Sequence, residues 1–294
     1  MSLVTQNLFP ELISVVGVNH LATTAGGRVV AASDTGMGLR LYADGELRWA
    51  VSVGSTNQKV ASTQRVRSLA FSGTGDRLFV AAADTVLCLD ALTGETLWSY
   101  VPKRSFGFLV ISPMCLDAQG TTVAAAFDNG GMAIWHEGGQ LLRLWQDPFA
   151  PRHLAIASDG SVVGSDSFSI SVWSQEGRRV SSYRLSERVY GFSLSVATGE
   201  ALVRSIHELF TLDLATGETR HRIPVGAGLP LVETSLGGRC AVATRHEVIL
   251  DPMGTPKTIS VPVDRGFIVS IKFLQHRSEL LVGTSDGSLL TLEF

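Results

Sequence analysis

The fold is decided by residues 66–101, which read VRSLAFSGTGDRLFVAAADTVLCLDALTGETLWSYV. Two apolar runs lie on either side of the turn at 73–76, and two more lie on either side of the turn at 92–95. Glycine-containing turns between short apolar runs are typical of β-hairpins. The stretch therefore predicts four consecutive antiparallel strands, which we call a, b, c and d.

The same unit recurs along the chain. Its strand b closes in a small polar turn, and the intervals between successive closures are 50, 44, 38, 40, 39 and 41 residues. The closures are at Asp34, Asp84, Asp128, Asp166, Ile206, Arg245 and Asp286. Seven units in 294 residues average 42 residues each, within the roughly 40–45-residue period of four-stranded propeller blades. We predict an all-β, closed seven-bladed β-propeller of four-stranded blades, a single domain over residues 1–294.

The strand pattern also predicts the limits of the blades and how the ring closes. The predicted blades cover 19–53, 66–102, 107–147, 151–186, 189–225, 229–263 and 267–294. Because the seventh unit ends after strand c, we expect the N-terminal segment 11–18, ELISVVGV, to supply its outer strand and leave no exposed edge. The turns between strands c and d carry glycine where a hairpin needs a positive φ: Gly45, Gly94, Gly139, Gly177, Gly217 and Gly254.

Two repeat families resemble these units. Blades 2, 4 and 7 resemble the WD repeat in the order of their strands, and Trp135 and Trp173 lie where that family has the Trp that closes strand c. The Gly-His dipeptide and the Trp-Asp pair of that family are absent. LDALTGETLWSY and LDLATGETRHRI are similar instead to the repeat of pyrroloquinoline-quinone-type propellers. Only two of the seven units match that repeat, so we expect no quinone and no other cofactor.

Composition excludes several classes of protein. The chain is 45% hydrophobic and 17% charged, which argues against disorder. Its 24 Lys and Arg against 27 Asp and Glu provide no general attraction to nucleic acid or acidic lipid, so we do not expect nucleic-acid binding. Cys88, Cys115 and Cys240 lie far apart in apolar runs. They predict buried free thiols rather than disulfides or a zinc site.

The N-terminal region gives no sign of export or membrane insertion. No Lys or Arg precedes Arg28, and Glu11 interrupts the segment before an apolar core of signal-peptide length. The longest uncharged stretch, 12–27, is too short and too polar to span a bilayer. We therefore expect a cytoplasmic protein, and the compact loops suggest a bacterial one.

No motif predicts catalysis or metal binding. The seven histidines fall in different blades without ligand spacing, and there is no G-x-S-x-G sequence. An Asp recurs at the end of strand b, which favours a structural role as acceptor of backbone N–H groups in the b–c turn; a ring of carboxylates that binds a metal is the alternative. We expect a protein that is not an enzyme and has no catalytic, cofactor or metal site.

The loops from strand d to strand a and from strand b to strand c share one face of a propeller, where we expect a protein partner to bind. Aromatic and Arg side chains contribute most to such interfaces. The candidate contact residues are Lys103, Arg104, Phe106, Phe149, Arg152, Arg188, Tyr190 and Arg265. Phe149, flanked by prolines, is the first choice among them. The alternative for Phe106, Tyr190 and Phe267 is that they begin strand a and plug the channel.

The sequence thus predicts a non-catalytic interaction scaffold, or a subunit of a multiprotein assembly, that binds its partner through one loop face. The alternative is a propeller that binds a small ligand or acts as an enzyme, with a site in the central channel built from Arg and His of several blades. A ligand site would make the channel polar, whereas a scaffold would leave it plugged and would expose aromatic side chains on a loop face.

Overall fold

A computed structural model describes residues 18–24, 27–34, 38–53, 66–82, 84–102, 111–195, 198–225, 231–234, 239–261, 266–274 and 279–293. Within these ranges there are 27 strands in seven antiparallel sheets and there is no helix. Each sheet is one blade and consists of strands that are consecutive in the sequence.

The strands follow the predicted order from the inner strand a to the outer strand d. Blades 1 to 3 consist of β1 (Val18–Thr23), β2 (Val29–Asp34), β3 (Gly38–Ala43), β4 (Glu46–Ser52), β5 (Val66–Phe71), β6 (Arg77–Ala82), β7 (Thr85–Asp90), β8 (Thr96–Tyr100), β9 (Pro113–Gln119), β10 (Thr122–Phe127), β11 (Gly131–His136) and β12 (Leu141–Gln146). Blades 4 and 5 consist of β13 (His153–Ile156), β14 (Val162–Ser165), β15 (Ser169–Trp173), β16 (Arg179–Arg184), β17 (Val189–Ser195), β18 (Glu200–Ser205), β19 (Glu208–Asp213) and β20 (Thr219–Pro224). Blades 6 and 7 consist of β21 (Leu231–Thr234), β22 (Cys240–Ala243), β23 (Glu247–Leu250), β24 (Lys257–Ser260), β25 (Ile268–Leu274), β26 (Glu279–Thr284) and β27 (Leu289–Glu293).

The seven blades form a closed ring. Each inner strand contacts the inner strand of the next blade, and β25 of the last blade contacts β1 of the first. The predicted closing strand is only partly covered: residues 11–17 lie outside the described residues. Val18, which we had assigned to that strand, pairs with Asp34 and belongs to β1 instead, because the antiparallel pairing of β1 with β2 extends to this residue.

The apolar core lies between the blades. Seven clusters of buried side chains are found among the described residues, and each joins two neighbouring blades. Successive side chains of strand b pack against opposite neighbouring blades. In blade 2, Val80 packs toward blade 1, whereas Phe79 and Ala81 pack toward blade 3. This arrangement explains why strand b is continuously apolar, since both of its faces are covered.

The cysteines lie in or beside these cores as free thiols, as predicted. Cys88 and Cys115 are buried and Cys240 is half-buried. Burial raises the pKa of the Cys88 thiol to about 12 and that of Cys240 to about 11. These thiols are therefore protonated and weakly nucleophilic at neutral pH.

An aromatic side chain of strand d packs on the c–d turn of the next blade. The ring of Trp49 lies so close to Gly94 that a Cβ there would come within 2.9 Å of it, and Trp49 Nε1 donates a hydrogen bond to Ala91 O at 3.0 Å. The same packing joins three further pairs: Trp98 with Gly139, Trp145 with Gly177 and Tyr183 with Gly217. Glycine is thus required in these turns by the neighbouring ring as well as by its positive φ.

The prediction for the sixth c–d turn was wrong. Gly254 does not have a positive φ, and Asp251 takes the left-handed conformation instead, at φ 48°. A Cβ at Gly254 would meet only one atom, the Asp251 carbonyl oxygen at 4.0 Å.

We expect Gly94→Ala to destabilise the propeller by about 2 kcal/mol, for two reasons. The new Cβ would overlap the ring of Trp49, and alanine would be strained in the left-handed backbone conformation of this turn. This corresponds to a fall in Tm of roughly 4 °C or more for a chain of this size. The matched control is Gly254→Ala, which we expect to change Tm by about 1 °C at most. Equal changes in Tm for the two variants would contradict the conclusion that glycine is required at position 94 and not at position 254.

Candidate functional site

The propeller has two faces that differ in their loops. We call the side where the inner strands begin the entry face; it carries the d–a and b–c loops, and the opposite face carries the a–b and c–d turns. Arg152 and Arg188 are exposed on the entry face, just before β13 and β17. The Arg188 guanidinium lies 5.2 Å from the ring centroid of the half-buried Tyr190. Lys103, Arg104, Phe106 and Arg265 lie outside the described residues.

Phe149 is not the exposed contact that the sequence suggested. Its side chain is only 7% exposed and packs edge-on against Trp173, with 5.3 Å between ring centroids. Of the prolines beside it, Pro148 is exposed and Pro151 is buried, and the ring lies between blades 3 and 4 rather than in solvent. Phe149 therefore belongs to the core that joins these blades.

Asp147 holds this segment in place. Its carboxylate accepts hydrogen bonds from Phe149 N at 2.9 Å and from Trp173 Nε1 at 3.0 Å, and it forms an ion pair with Arg179. Burial opposes ionisation of this carboxyl, but the hydrogen bonds from Trp173, Arg179 and Phe149 N and the charge of Arg179 together outweigh burial and lower its pKa.

Three of the five Asp residues that end strand b have the predicted role in the b–c turn, whereas Asp128 accepts a hydrogen bond from Ser112 N, just before strand a. Asp34 accepts a hydrogen bond from Gly38 N at 2.9 Å, and Asp166 accepts one from Ser169 N at 2.7 Å. Asp286 likewise accepts one from Ser288 N at 3.1 Å. The described residues contain no group of three His, Cys, Asp or Glu side chains that could hold a metal ion.

A large concave surface lies at the rim of the entry face, between blades 2 and 3. This blade 2–3 groove has a volume of about 750 Å³. Its apolar lining includes Tyr100, Val101, Ile111, Phe127, Leu144 and Trp145. Asn129 and Gln146 make one end of it polar. The buried indole N–H of Trp145 has no hydrogen-bond partner in the described part of the chain, unlike those of Trp49 and Trp98.

Exposed apolar side chains concentrate around this groove. Among the described residues, 11 large apolar side chains are exposed, and three of them, Val101, Leu141 and Leu144, line the groove. Three more lie elsewhere on the same two blades: Leu92, Leu97 and Leu142. The outer strands there are poor in charge, since β8 has no charged residue and β12 has only Arg143. Sequence reasoning missed this surface, although the run LLRLWQ on an outer strand was a signal for it.

The channel is lined in part by charged side chains. Lys272 Nζ of β25 lies 2.7 Å from Glu233 Oε1 of β21, and Asp117 of β9 interacts electrostatically with both. Asp117 lies on blade 3 and Lys272 lies on blade 7. Because these blades are not neighbours, the interaction between the two side chains crosses the channel. Asp117 also accepts a hydrogen bond from Ile156 N at 2.8 Å. Burial raises the pKa of Asp117 and of Glu233, and the Lys272 ammonium opposes both shifts.

The aromatic residues considered as plugs are not fully buried. Tyr190 is half-buried beneath Arg188, and Phe267 is 38% exposed, 6.0 Å from the Arg245 guanidinium. Phe106 lies outside the described residues. The channel is thus polar at the Asp117–Glu233–Lys272 cluster, which is the condition set for a channel ligand, and Lys272 is already paired with Glu233 there.

No helix in the described ranges has the length and apolar character needed to cross a membrane.

We expect Phe149→Ala to lower the free energy of unfolding by about 3 kcal/mol, because it removes a buried ring from the core between two blades. Phe168→Ala is the matched control, since Phe168 is 50% exposed on blade 4, and it should have little effect. Urea unfolding of the two variants measures the difference. A wild-type stability for Phe149→Ala would show that the ring is not part of the core.

Two histidines of the inner strands make stability depend on pH. Burial lowers the pKa of His20 and of His153 to about 4. In the unfolded chain they protonate below about pH 6.5, so the native state loses stability as the pH falls from about 6.5 to about 4. In the double variant His20→Gln, His153→Gln, we expect Tm to fall less than in the wild type between about pH 7.5 and about pH 5. An identical fall in both proteins would contradict the burial of these imidazoles.

Comparison with known proteins places the chain in a family. The model described as outer membrane protein assembly factor BamB matches residues 11–222, which is more than half of the chain. The match supports the similarity to pyrroloquinoline-quinone-type repeats and does not confirm the WD-repeat resemblance. No curated protein matches the chain.

Proposed function

The chain belongs to the family of the outer membrane protein assembly factor BamB, and from that premise we propose that it is a non-catalytic interaction subunit of a multiprotein assembly. The family is named for a protein that assists assembly, and a propeller suits that role because it presents a rigid surface, so that little ordering entropy is lost on binding.

The observation that carries this proposal is the blade 2–3 groove. It combines a concave apolar surface of about 750 Å³ with the greatest concentration of exposed apolar side chains in the described residues. Contiguous exposed apolar surface of this kind marks interaction sites on folded proteins. Tyr100 and Trp145 supply the aromatic residue types that act as anchors in interfaces.

The loop predicted to bind the partner is connected to this groove at both ends. Residues 103–110 follow Pro102 and precede Ile111, and both of these residues line the groove. Lys103, Arg104 and Phe106 thus belong to the segment that joins two of its walls. We propose that the partner contacts this part of the entry face first, and that Arg152, Arg188 and Tyr190 extend the contact.

The second candidate is a small ligand in the channel, supported by the cluster of Asp117, Glu233 and Lys272. A ligand there would have to separate Lys272 from Glu233, which lie 2.7 Å apart. Separating a partly buried ion pair leaves each charge uncompensated, which is costly. We therefore favour the groove.

The cytoplasmic location remains a proposal, and the family name, which refers to outer membrane proteins, makes it worth testing directly. Fractionation of the native host with an antibody to the full-length protein should recover it in the cytosol. Recovery from the periplasmic or the membrane fraction would overturn the proposed location while leaving the interaction role open.

We expect Leu144→Asp to weaken partner binding by at least about tenfold, because it places a charge on the apolar wall of the groove. The matched control is Leu92→Asp, since Leu92 is 82% exposed on a c–d turn of the opposite face and should tolerate the same change. The partner is first identified by affinity purification from the native host as a stoichiometric component. Its affinity is then measured with the purified proteins.

Two results would contradict the proposal. A wild-type protein that is recovered alone would remove support for an assembly role. A purified partner that binds Leu144→Asp as tightly as the wild type would move the interface away from the groove.

A further inference from the structure

A second concave site lies on the opposite face, between blades 4 and 5. This blade 4–5 pocket has a volume of about 320 Å³. It is bounded by the a–b turn 157–161, by the end of β17 and by the c–d turn that contains Leu214 and Ala215. It is separate from the blade 2–3 groove, from the channel cluster and from every candidate contact residue discussed above.

The pocket contains a buried hydroxyl group without a partner. Ser195 is 7% exposed and lines the pocket, and its Oγ forms no hydrogen bond with the described residues. Nearly all buried polar groups in folded proteins are hydrogen-bonded, because an unpaired one loses its interaction with water without replacement. The Ser195 hydroxyl is therefore suited to bond a group that enters the pocket.

The walls of the pocket are aliphatic. Val163 and Val172 come from neighbouring strands of blade 4, and Leu194 and Leu214 come from blade 5. Their side chains offer no hydrogen bonds, so the body of a ligand that fits there is a short aliphatic chain. Ser195 would then select a hydrogen-bonding group at one position on that chain.

The mouth of the pocket carries one negative charge. Asp159 is exposed there, and its Oδ1 accepts hydrogen bonds from Ser161 N at 2.9 Å and from Ser161 Oγ at 2.6 Å. Asp159 forms no ion pair within the described part of the chain. A carboxylate without a cation nearby favours a positively charged ligand and disfavours an anionic one.

The turn that carries Asp159 is held in place before any ligand binds. Ala157 N donates to Ser161 O and Gly160 N donates to Ala157 O, both at 2.9 Å. Gln175 Nε2 of the c–d turn also donates to Asp159 O at 2.6 Å. A site that is already ordered loses little conformational entropy on binding, so even a small ligand can be retained.

We propose that the blade 4–5 pocket binds a small aliphatic molecule that carries a positive charge and a neutral hydrogen-bonding group, as in an amino alcohol. The ammonium group lies near Asp159 at the mouth, the methylene chain packs on the valine and leucine side chains, and the hydroxyl group bonds Ser195. This site is independent of the proposed interaction role.

The test is a titration of the full-length, ¹⁵N-labelled protein with 4-amino-1-butanol, followed by NMR. We expect saturable shifts of the amides of the pocket, with an affinity in the millimolar range for so small a compound. Butylamine, which lacks the hydroxyl group, should bind about fivefold more weakly, and 4-hydroxybutyrate, which reverses the charge, should not bind.

Two variants assign the interactions. Ser195→Ala should weaken 4-amino-1-butanol binding about fivefold without lowering Tm, because its hydroxyl has no partner in the fold. Asp159→Asn retains the acceptor in the turn and should also weaken binding by removing the charge. Ser165→Ala is the matched control, since Ser165 is fully buried, its Oγ is likewise unpaired among the described residues, and it does not line the pocket.

Several results would overturn the proposal. Absence of saturable shifts at the pocket in the wild type would show that the pocket does not bind this class of ligand. Wild-type affinity in Ser195→Ala, or equal binding of 4-hydroxybutyrate, would remove the recognition that we infer. A marked fall in Tm for Ser195→Ala would show that the hydroxyl is already bonded in the fold.

Discussion

Each blade has two apolar faces and can bury them only against its neighbours, and the rest of the structure depends on this constraint. The seven buried clusters all lie between blades, including the one in which Leu21 and Val30 of blade 1 meet Leu281 and Leu289 of blade 7. A blade in isolation would leave both faces in water. The ring is therefore stable as a unit, and the contact between the last blade and the first is of the same kind as the other six.

The same constraint decides which residues are available for function. A bulky side chain near a gap between blades is drawn into the nearest core, as Phe149 is, because burial beside Trp173 removes its ring from water. Apart from the aromatic side chains that pack on c–d turns, many side chains at the rim and at the turns have no such neighbour. The candidate sites accordingly lie where the packing between blades ends: the blade 2–3 groove on the outer strands and the blade 4–5 pocket at the turns.

The exposed residues of the outer strands differ between blades, while the contacts that join neighbouring blades are kept. Most carry charges on their exposed positions, as in β20 with Arg220 and Arg222, which protects a sheet edge from unwanted pairing. On β12 that protection is reduced to Arg143, while Leu141 and Leu144 are exposed. The aromatic packing on the next c–d turn is nevertheless retained by Trp145. The outer strand thus carries an exposed apolar surface while it keeps its contact with the next blade, and Trp145 takes part in both.

The sequence alone predicts the architecture: the seven repeats, the order of the strands and the apolar strand b follow from a pattern that recurs along the whole chain, and the glycine turns and the Asp residues at the end of strand b recur in most blades. Local patterns could not decide exposure at the ends of strands, because that depends on which neighbouring blade lies alongside. The tertiary structure was needed to show that Phe149 is buried and that Asp251 replaces Gly254 in the left-handed position. It was also needed to show that Asp117 interacts electrostatically with Glu233 and Lys272 across the channel. The pattern within one repeat could not predict the groove or the pocket either, since each is formed by side chains from two neighbouring blades.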